Sequence, residues 1–367
     1  MKIGILKESH DQRVSLVPSV LKKLESLGVE FLVEKGAGER ASTSDQDFEA
    51  VAKVVDRSTL LSESQVLISV QPPEETTLQQ LSKGTLLISM FAPYQDDNIV
   101  GKLESHGLRA VSMDMIPRTT LAQSMDILSS MASIAGYKAV LTAASHLPRY
   151  FPMMITAAGS IRPAKVLVLG AGVAGLQAIA TAKRLGSMVE AFDVRSAAKE
   201  EVESLGAKFV EVEGAKDDRD AGGYAVEQSE EFLKRQRAEV QSRAAKADVV
   251  ITTAQVRGRK APTLLQKETV EQMKNGAVVV DLAASTGGNC ELTQNDKIIQ
   301  HQGVTIIGNS NLAAEMPQDA STLFANNIAN FLKLIIKEGK LHLDFENEIV
   351  KSAFITNQGE GETETEE

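Results

Sequence analysis

Lys165-Val166-Leu167-Val168-Leu169-Gly170-Ala171-Gly172-Val173-Ala174-Gly175 is the stretch whose reading decides the fold. After the lysine, the first residues form a short apolar run bounded at once by glycine, as in a strand buried on both faces. Leu176–Leu185 then spaces its apolar residues for a packed helix, and Met188–Phe192 reads as a second strand that ends in Asp193. Strand, glycine turn, helix and strand make a βαβ unit, and each glycine in it has its own reason. Gly170 permits the tight turn, Gly172 lets a ligand approach the backbone, and Gly175 lets the helix lie close on the strand. The helix amino end offers unpaired N–H groups and partial positive charge to a pyrophosphate. Asp193 stands 18 residues after Gly175, where a carboxylate accepts hydrogen bonds from a ribose diol and repels a 2′-phosphate. The unit therefore predicts NAD(H) binding in preference to NADP(H), with Arg195 softening the preference. Val173 and Val194 flank the expected ligand.

A second match, Gly36-Ala37-Gly38-Glu39-Arg40-Ala41, lacks this context. Ser42 to Asp45 delay any helix, and Glu39 would bring negative charge towards a phosphate. It reads as a plain turn.

Working outward, apolar strand patterns at Lys2–Leu6, Glu30–Glu34, Val66–Val70, Leu86–Ser89 and Arg109–Ser112 precede the motif. Val166–Leu169, Met188–Phe192, Lys208–Val212, Val249–Thr252, Val278–Leu282 and Thr305–Ile307 form a second series. Helices are expected at Pro18–Leu27, closed by Gly28, at Leu121–Leu147 as a connector, and at Ala320–Lys337, packing back on the first series. The predicted class is α/β with two Rossmann-like doubly wound domains, the second carrying the GxGxxG dinucleotide-binding unit. The expected boundaries are 1–125 plus 316–345 for a discontinuous first domain, 126–315 for the NAD(H)-binding domain, and 346–367 for an acidic, disordered tail.

The net charge of −10 argues against nucleic acid, since phosphate binding needs surplus Lys and Arg. Half of that charge comes from the five glutamates of Gln358–Glu367. Cys290 is the only cysteine and the five histidines are scattered, so no metal site is expected. The apolar start, Ile3 to Leu6, is too short for a signal peptide, and the uncharged stretch Val166–Ala182 is too short and glycine-broken to span a bilayer. A cytoplasmic protein is expected.

The runs Arg162–Ala178, Glu190–Arg195 and Asp281-Leu282-Ala283-Ala284 with Gly287-Gly288-Asn289-Cys290 resemble the NAD(H)-binding alpha component of proton-translocating nicotinamide nucleotide transhydrogenase, a family related in fold to alanine dehydrogenase. The resemblance runs from Lys2 to about Lys337. It implies that Arg118, Gln123, Asp126 and Ser129 contact the nicotinamide half of the cofactor. Gln123 would orient the ring as the residue nearest the chemistry. From the residues alone, Gln123 and Asp126 are three apart on one face of a helix and read equally as a solvated face. The resemblance also places Gly223 and Tyr224 in a loop that closes over the cofactor. That tyrosine is odd on its own terms, being one of four and lying in a charged, glycine-containing stretch where no core is expected. A partly packed surface tyrosine is the plainer alternative. Gln236 and Gln255 are implied as contacts to the adenosine part and to the carboxamide side. The chain departs from the family pattern on the nicotinamide side, at Val256-Arg257-Gly258-Arg259, Ser285-Thr286 and Ala313-Ala314-Glu315.

An amino-acid dehydrogenase needs cations for a substrate carboxylate and a general acid/base near the ring. Arg13 is present. Where the related dehydrogenases have a lysine, a histidine and an aspartate, however, this chain reads Gln71, Met90-Phe91-Ala92-Pro93 and Ser285. Direct hydride transfer between two nicotinamides needs none of these. The resemblance therefore implies a Re/Si-specific, proton-translocating transhydrogenase subunit. It would bind NAD(H) as a homodimer, and a partner subunit would present NADP(H). A small membrane-spanning subunit would complete the complex, holding this chain peripherally at the cytoplasmic face. The alternatives are a non-catalytic NAD(H)-binding paralogue and an alanine-dehydrogenase-like enzyme.

Overall fold

A computed structural model describes residues 1–212 and 229–357. The chain divides into two compact units, one of Met1–Met131 with the segment from Met316 onward, the other Ala132–Glu315.

In the first unit, β1 (Lys2–Ile5), β2 (Glu30–Glu34), β3 (Lys53–Val55), β4 (Val66–Ile68), β5 (Leu86–Ser89) and β6 (Arg109–Ser112) form one parallel sheet in the order β3-β2-β1-β4-β5-β6. The central strands are apolar almost throughout because helices cover both faces of the sheet. Leu32, Leu60, Leu67, Leu87 and Leu103 fill one of the resulting cores. The Pro18–Leu27 pattern folds as a short α-helix, Pro18–Leu21, followed by a 3-10 segment, Lys22–Leu27, which Gly28 ends at φ 68°.

Residues 346–357 correct the expected tail. They carry a helix, Glu348–Ala353, capped by Asn347 Oδ1, which accepts the Ile349 N–H at 2.9 Å. Ile355 then donates its N–H to the Ala110 carbonyl at 2.9 Å, and Thr356 Oγ1 accepts the Ala110 N–H at 3.1 Å. Val350 and Ala353 are buried, so apolar spacing outweighs the acidic composition here. Residues 358–367 lie outside the described residues.

The strands of the second unit begin with a hairpin, β7 (Met154–Thr156) and β8 (Gly159–Ile161). Its main sheet contains β9 (Lys165–Leu169), β10 (Met188–Phe192), β11 (Lys208–Phe209), β12 (Val249–Thr252), β13 (Val278–Asp281), β14 (Lys297–His301) and β15 (Val304–Gly308). The order is β11-β10-β9-β12-β13-β15-β14, parallel except for β14. Strand order reverses between β9 and β12, and open α/β sheets bind ligands at such a crevice, outside the carboxyl ends of the strands. The register places Leu169 opposite Phe192 on one side and Thr252 on the other, so three strands end together at that lip.

The helix Ile127–His146 buries Ala139, Val140 and Ala143 in the core of this unit. It is long and apolar enough to cross a membrane by length and composition. A Cβ on its Gly136 would stand 2.1 Å from the Ala174 carbonyl, so only glycine lets it lie against the next helix, Val173–Arg184.

Candidate functional site

The glycine turn joins β9 to the helix Val173–Arg184 at the switch point. Gly170 adopts φ 104°, and a Cβ there would meet Thr253 Oγ1 at 2.6 Å. A Cβ on Gly175 would fall 1.8 Å from the Gly170 carbonyl oxygen. Packing within the protein thus demands glycine at both positions. Gly172 differs, because a Cβ there would touch no protein atom within 4 Å. The first intrahelical bond runs from the Leu176 N–H to the Gly172 carbonyl at 2.8 Å, so the N–H groups of Val173, Ala174 and Gly175 precede the helical ladder. That donor set fits a diphosphate.

Asp193 follows β10, and its acceptor positions are occupied. Oδ2 accepts the Ala171 N–H at 2.7 Å and Arg195 Nη2 at 3.1 Å, while Oδ1 accepts the Arg195 N–H at 2.9 Å and its Nε at 3.0 Å. Burial alone would raise this carboxyl. The bonds from Arg195 and Ala171 outweigh it and hold the group below its ordinary value, so it stays ionised. Taking a ribose diol therefore requires Arg195 to release part of the carboxylate. Val173 and Val194 are both exposed, apolar flanks to either side of the turn.

In the first unit, Arg118, Asp126 and Ser129 form one cluster. Asp126 Oδ1 accepts the Ser129 N–H at 2.9 Å, Oδ2 accepts Ser129 Oγ at 2.6 Å, and Arg118 Nε lies 3.8 Å from Oδ2. Asp126 is the residue that caps the helix Ile127–His146, and Gln123 sits on a separate 3-10 turn, Gln123–Met125. This corrects the reading of the two on one helical face. A carboxylate three residues before a serine can take both its N–H and its hydroxyl, which favours capping over continuing the helix. Gln123 is exposed, and its side chain has no hydrogen bond among the described residues. Sequence reading missed what holds this turn. Asn327 and Asn330, from the helix Pro317–Ile335, both donate Nδ2 to the Ser124 carbonyl, at 2.9 and 3.0 Å. The signal was available as two asparagines three apart, Asn327 and Asn330, set among the apolar residues of the helix's carboxyl half.

Gln255 lies just past β12 and donates Nε2 to the Leu282 carbonyl at 3.4 Å. Gln236 is half-buried on the helix Glu230–Ala244 and makes no hydrogen bond to the glycine turn among the described residues. Gly223 and Tyr224 lie outside the described residues. Among those residues no group of three His, Cys, Asp or Glu side chains converges as a metal site would require.

Models of the alanine dehydrogenase/PNT N-terminal and C-terminal domains match residues 4–135 and 139–364. The chain belongs to the alanine dehydrogenase/PNT family. It is 45% identical to an NAD(P) transhydrogenase subunit alpha protein of Rhodospirillum rubrum, over 98% of this chain and 97% of that protein. Among solved structures, a transhydrogenase from Sinorhizobium meliloti superimposes with a TM-score of 0.90 at 41% identity, covering 97% of this chain and 98% of that one. An L-alanine dehydrogenase is more distant, with a TM-score of 0.81 at 25% identity, covering 96% and 94% of the two chains.

Several further positions bear on the substrate chemistry an amino-acid dehydrogenase would need. Arg13 is buried, and Asp11 grips it through both carboxylate oxygens, with Nε donating to Oδ1 at 2.9 Å. Gln71 Nε2 adds a bond to Asp11 Oδ2 at 3.1 Å, and Arg13 Nη1 lies 3.2 Å from Met131 Sδ. A substrate carboxylate would have to displace Asp11 from a buried bidentate pair, which costs several kcal/mol. Met90 and Phe91 offer no acid or base, and Ser285 donates its N–H to Ser310 Oγ at 2.8 Å.

Glu8 lies beside this cluster, buried, and accepts the N–H groups of Val70 at 2.6 Å and Gln71 at 3.2 Å. Burial dominates over these bonds and pushes its carboxyl up from 4.5 to about 7; the Asp11 charge adds to the rise and Arg13 opposes it. The folded state therefore holds the Glu8 proton more tightly than the unfolded state. This stabilisation is complete below the unfolded value and is lost as pH rises through the folded one, a change on the order of 3 kcal/mol. In urea titrations, Glu8→Gln should match wild type near pH 4.5 and exceed it in stability at pH 8. Parallel pH profiles for the two proteins would refute this.

Proposed function

We propose that this chain is the NAD(H)-binding alpha component of a Re/Si-specific, proton-translocating transhydrogenase. The observation that carries the reading is the glycine turn. Protein packing requires glycine at 170 and 175, while a Cβ at Gly172 would meet no protein atom within 4 Å. The protein's own packing therefore does not account for that glycine, and a ligand passing over the helix amino end would. Bound there, the dinucleotide supplies a nicotinamide that exchanges a hydride directly with NADP(H) held by a partner subunit. The work of this chain is then positional. The amino end of the helix Val173–Arg184 holds the diphosphate, and Asp193 selects the unphosphorylated ribose. Arg118, Gln123, Asp126 and Ser129 fix the ring, with Gln255 on the carboxamide side, Gln236 on the adenosine side and Gly223-Tyr224 closing over the cofactor. Reaction needs the reacting carbons of the two nicotinamides ~3–3.5 Å apart, and in this reading the partner subunit brings the second ring to that distance. The sealed Arg13 pair disfavours amino-acid dehydrogenation and so supports this reading over the dehydrogenase alternative.

The partners in this reading are the NADP(H)-binding subunit, a small membrane-spanning subunit that couples transfer to proton movement, and a second copy of this chain. The complex would place the chain at the cytoplasmic face of the membrane through those partners. Met153, Ile155 and Ile161, in and beside the β7–β8 hairpin, expose apolar side chains of the kind a second copy would cover. Sedimentation of the free chain at monomer mass would remove the dimer from the proposal.

The test mixes the purified chain with an NADP(H)-binding subunit and follows reduction of an NAD analogue by NADPH. Turnover that needs both proteins is expected. No transfer in any pairing overturns the proposal. NADH oxidation by this chain alone, with pyruvate and ammonium, would instead favour an alanine-dehydrogenase-like enzyme.

A further inference from the structure

Asn289 is fully buried behind the carboxyl ends of the second sheet. Its Oδ1 accepts the Ala254 N–H at 2.9 Å, and its Nδ2 donates to the carbonyls of Ala254 and Pro262, both at 2.8 Å. One side-chain amide thus pairs with both main-chain groups of Ala254, as a neighbouring strand would, two residues beyond the end of β12. Main-chain groups withdrawn from water need partners. Among side chains of this size, only asparagine offers a donor and an acceptor on one planar edge.

Asn289 is itself fixed. Asp281, the last residue of β13, accepts the Asn289 N–H at 2.7 Å, the Cys290 N–H at 3.0 Å and Thr293 Oγ1 at 2.6 Å on Oδ2, while Oδ1 accepts the Ala283 N–H at 2.9 Å. On the other side of Ala254, Thr253 Oγ1 donates to the Gly170 carbonyl at 3.1 Å. A continuous line of hydrogen bonds and peptide links therefore runs from Asp281 through Asn289, Ala254 and Thr253 to the first glycine of the turn. It ties together the carboxyl ends of β13, β12 and β9, which are adjacent in the sheet.

Building on the dinucleotide site proposed above, we infer that Asn289 is a positioning residue for the nicotinamide half of the bound dinucleotide. The direction follows from the sheet. Asp193, on the adenosine side, closes β10, and β12 lies on the opposite side of β9. A dinucleotide extended across the crevice lays its other half over the β12 exit. That exit is the Thr253–Gln255 segment, whose main chain Asn289 holds against the glycine turn.

The experiment measures binding of NADH and of ADP-ribose, which lacks only the nicotinamide, to the full chain by calorimetry. Asn289→Asp keeps shape and acceptors but sets a carboxylate against two carbonyl oxygens, and Asn289→Ala removes all three bonds. At least a tenfold loss of NADH affinity is expected in each, with ADP-ribose held within twofold. Equal losses for the two ligands, or no loss for either, overturn the inference, because a merely structural role would not tell the ligands apart. Should circular dichroism find the Asn289 variants unfolded, Thr253→Val decides. It removes only the bond to Gly170, and a selective loss of at least threefold is expected. An equal or absent loss in that variant overturns the inference. A wild-type chain that binds neither ligand overturns the proposed function, and this inference falls with it. A wild type that binds both, with variants that do not discriminate, overturns the positioning role alone.

Discussion

Gly175→Ala is expected to lower NADH affinity at least a hundredfold, roughly 2.7 kcal/mol, in a chain that still folds. The added Cβ would sit 1.8 Å from the Gly170 carbonyl oxygen, and the clashing atom is backbone, which cannot swing aside as a side chain would. Either the helix Val173–Arg184 lifts from β9 or the turn opens. Both move the N–H groups of Val173 and Ala174 away from the place a diphosphate would occupy in the proposed site, and both disturb the Ala171 N–H bond to Asp193 at 2.7 Å. Overpacking of this kind costs about 1–3 kcal/mol of stability, so thermal unfolding should fall without losing cooperativity. Gly172→Ala is the control. Its Cβ meets no protein atom within 4 Å, so stability should hold while NADH affinity falls. Titration by NADH fluorescence reads both. Affinity within threefold of wild type in Gly175→Ala would mean that the turn does not carry the cofactor.

Legibility followed the range of the forces involved. Glu30–Glu34, Leu86–Ser89, Arg109–Ser112, Met188–Phe192 and Val249–Thr252 were readable to the residue, because a strand buried on both faces must be apolar over its length and polar at its ends. The glycine turn was readable because its steric demands are local. Asp126 was misplaced on a helical face because capping depends on where the chain turns, and periodicity does not encode that. The stretch 346–357 was hidden by acidic composition, although Val350 and Ala353 carry the spacing of a packed face. The closing of Asp11 on Arg13 and of Arg195 on Asp193 could not be read, because a charge pair two residues apart in sequence forms only when the backbone between bends it back. The role of Asn289 was equally hidden, since its partners Ala254 and Pro262 lie 35 and 27 residues away.

Under the proposed hydride transfer, Gln123→Asn should lower kcat on the order of a hundredfold and change NADH affinity by less than about threefold. The backbone beneath Gln123 is held independently of its side chain. Ala122 and Met125 are buried on either side, and Asn327 and Asn330 both donate to the Ser124 carbonyl. Shortening the side chain by one methylene therefore withdraws the amide without moving the turn, and the ring it orients loses its aim while the diphosphate keeps its hold. Binding energy and alignment are separable here because they come from different places in the chain, the helix amino end at Gly172 and the 3-10 turn at Gln123–Met125. Single-turnover transfer to an NAD analogue, measured beside equilibrium titration, distinguishes the two. Equal losses in rate and affinity would make Gln123 an anchor, and an unchanged rate would take it out of the reaction altogether.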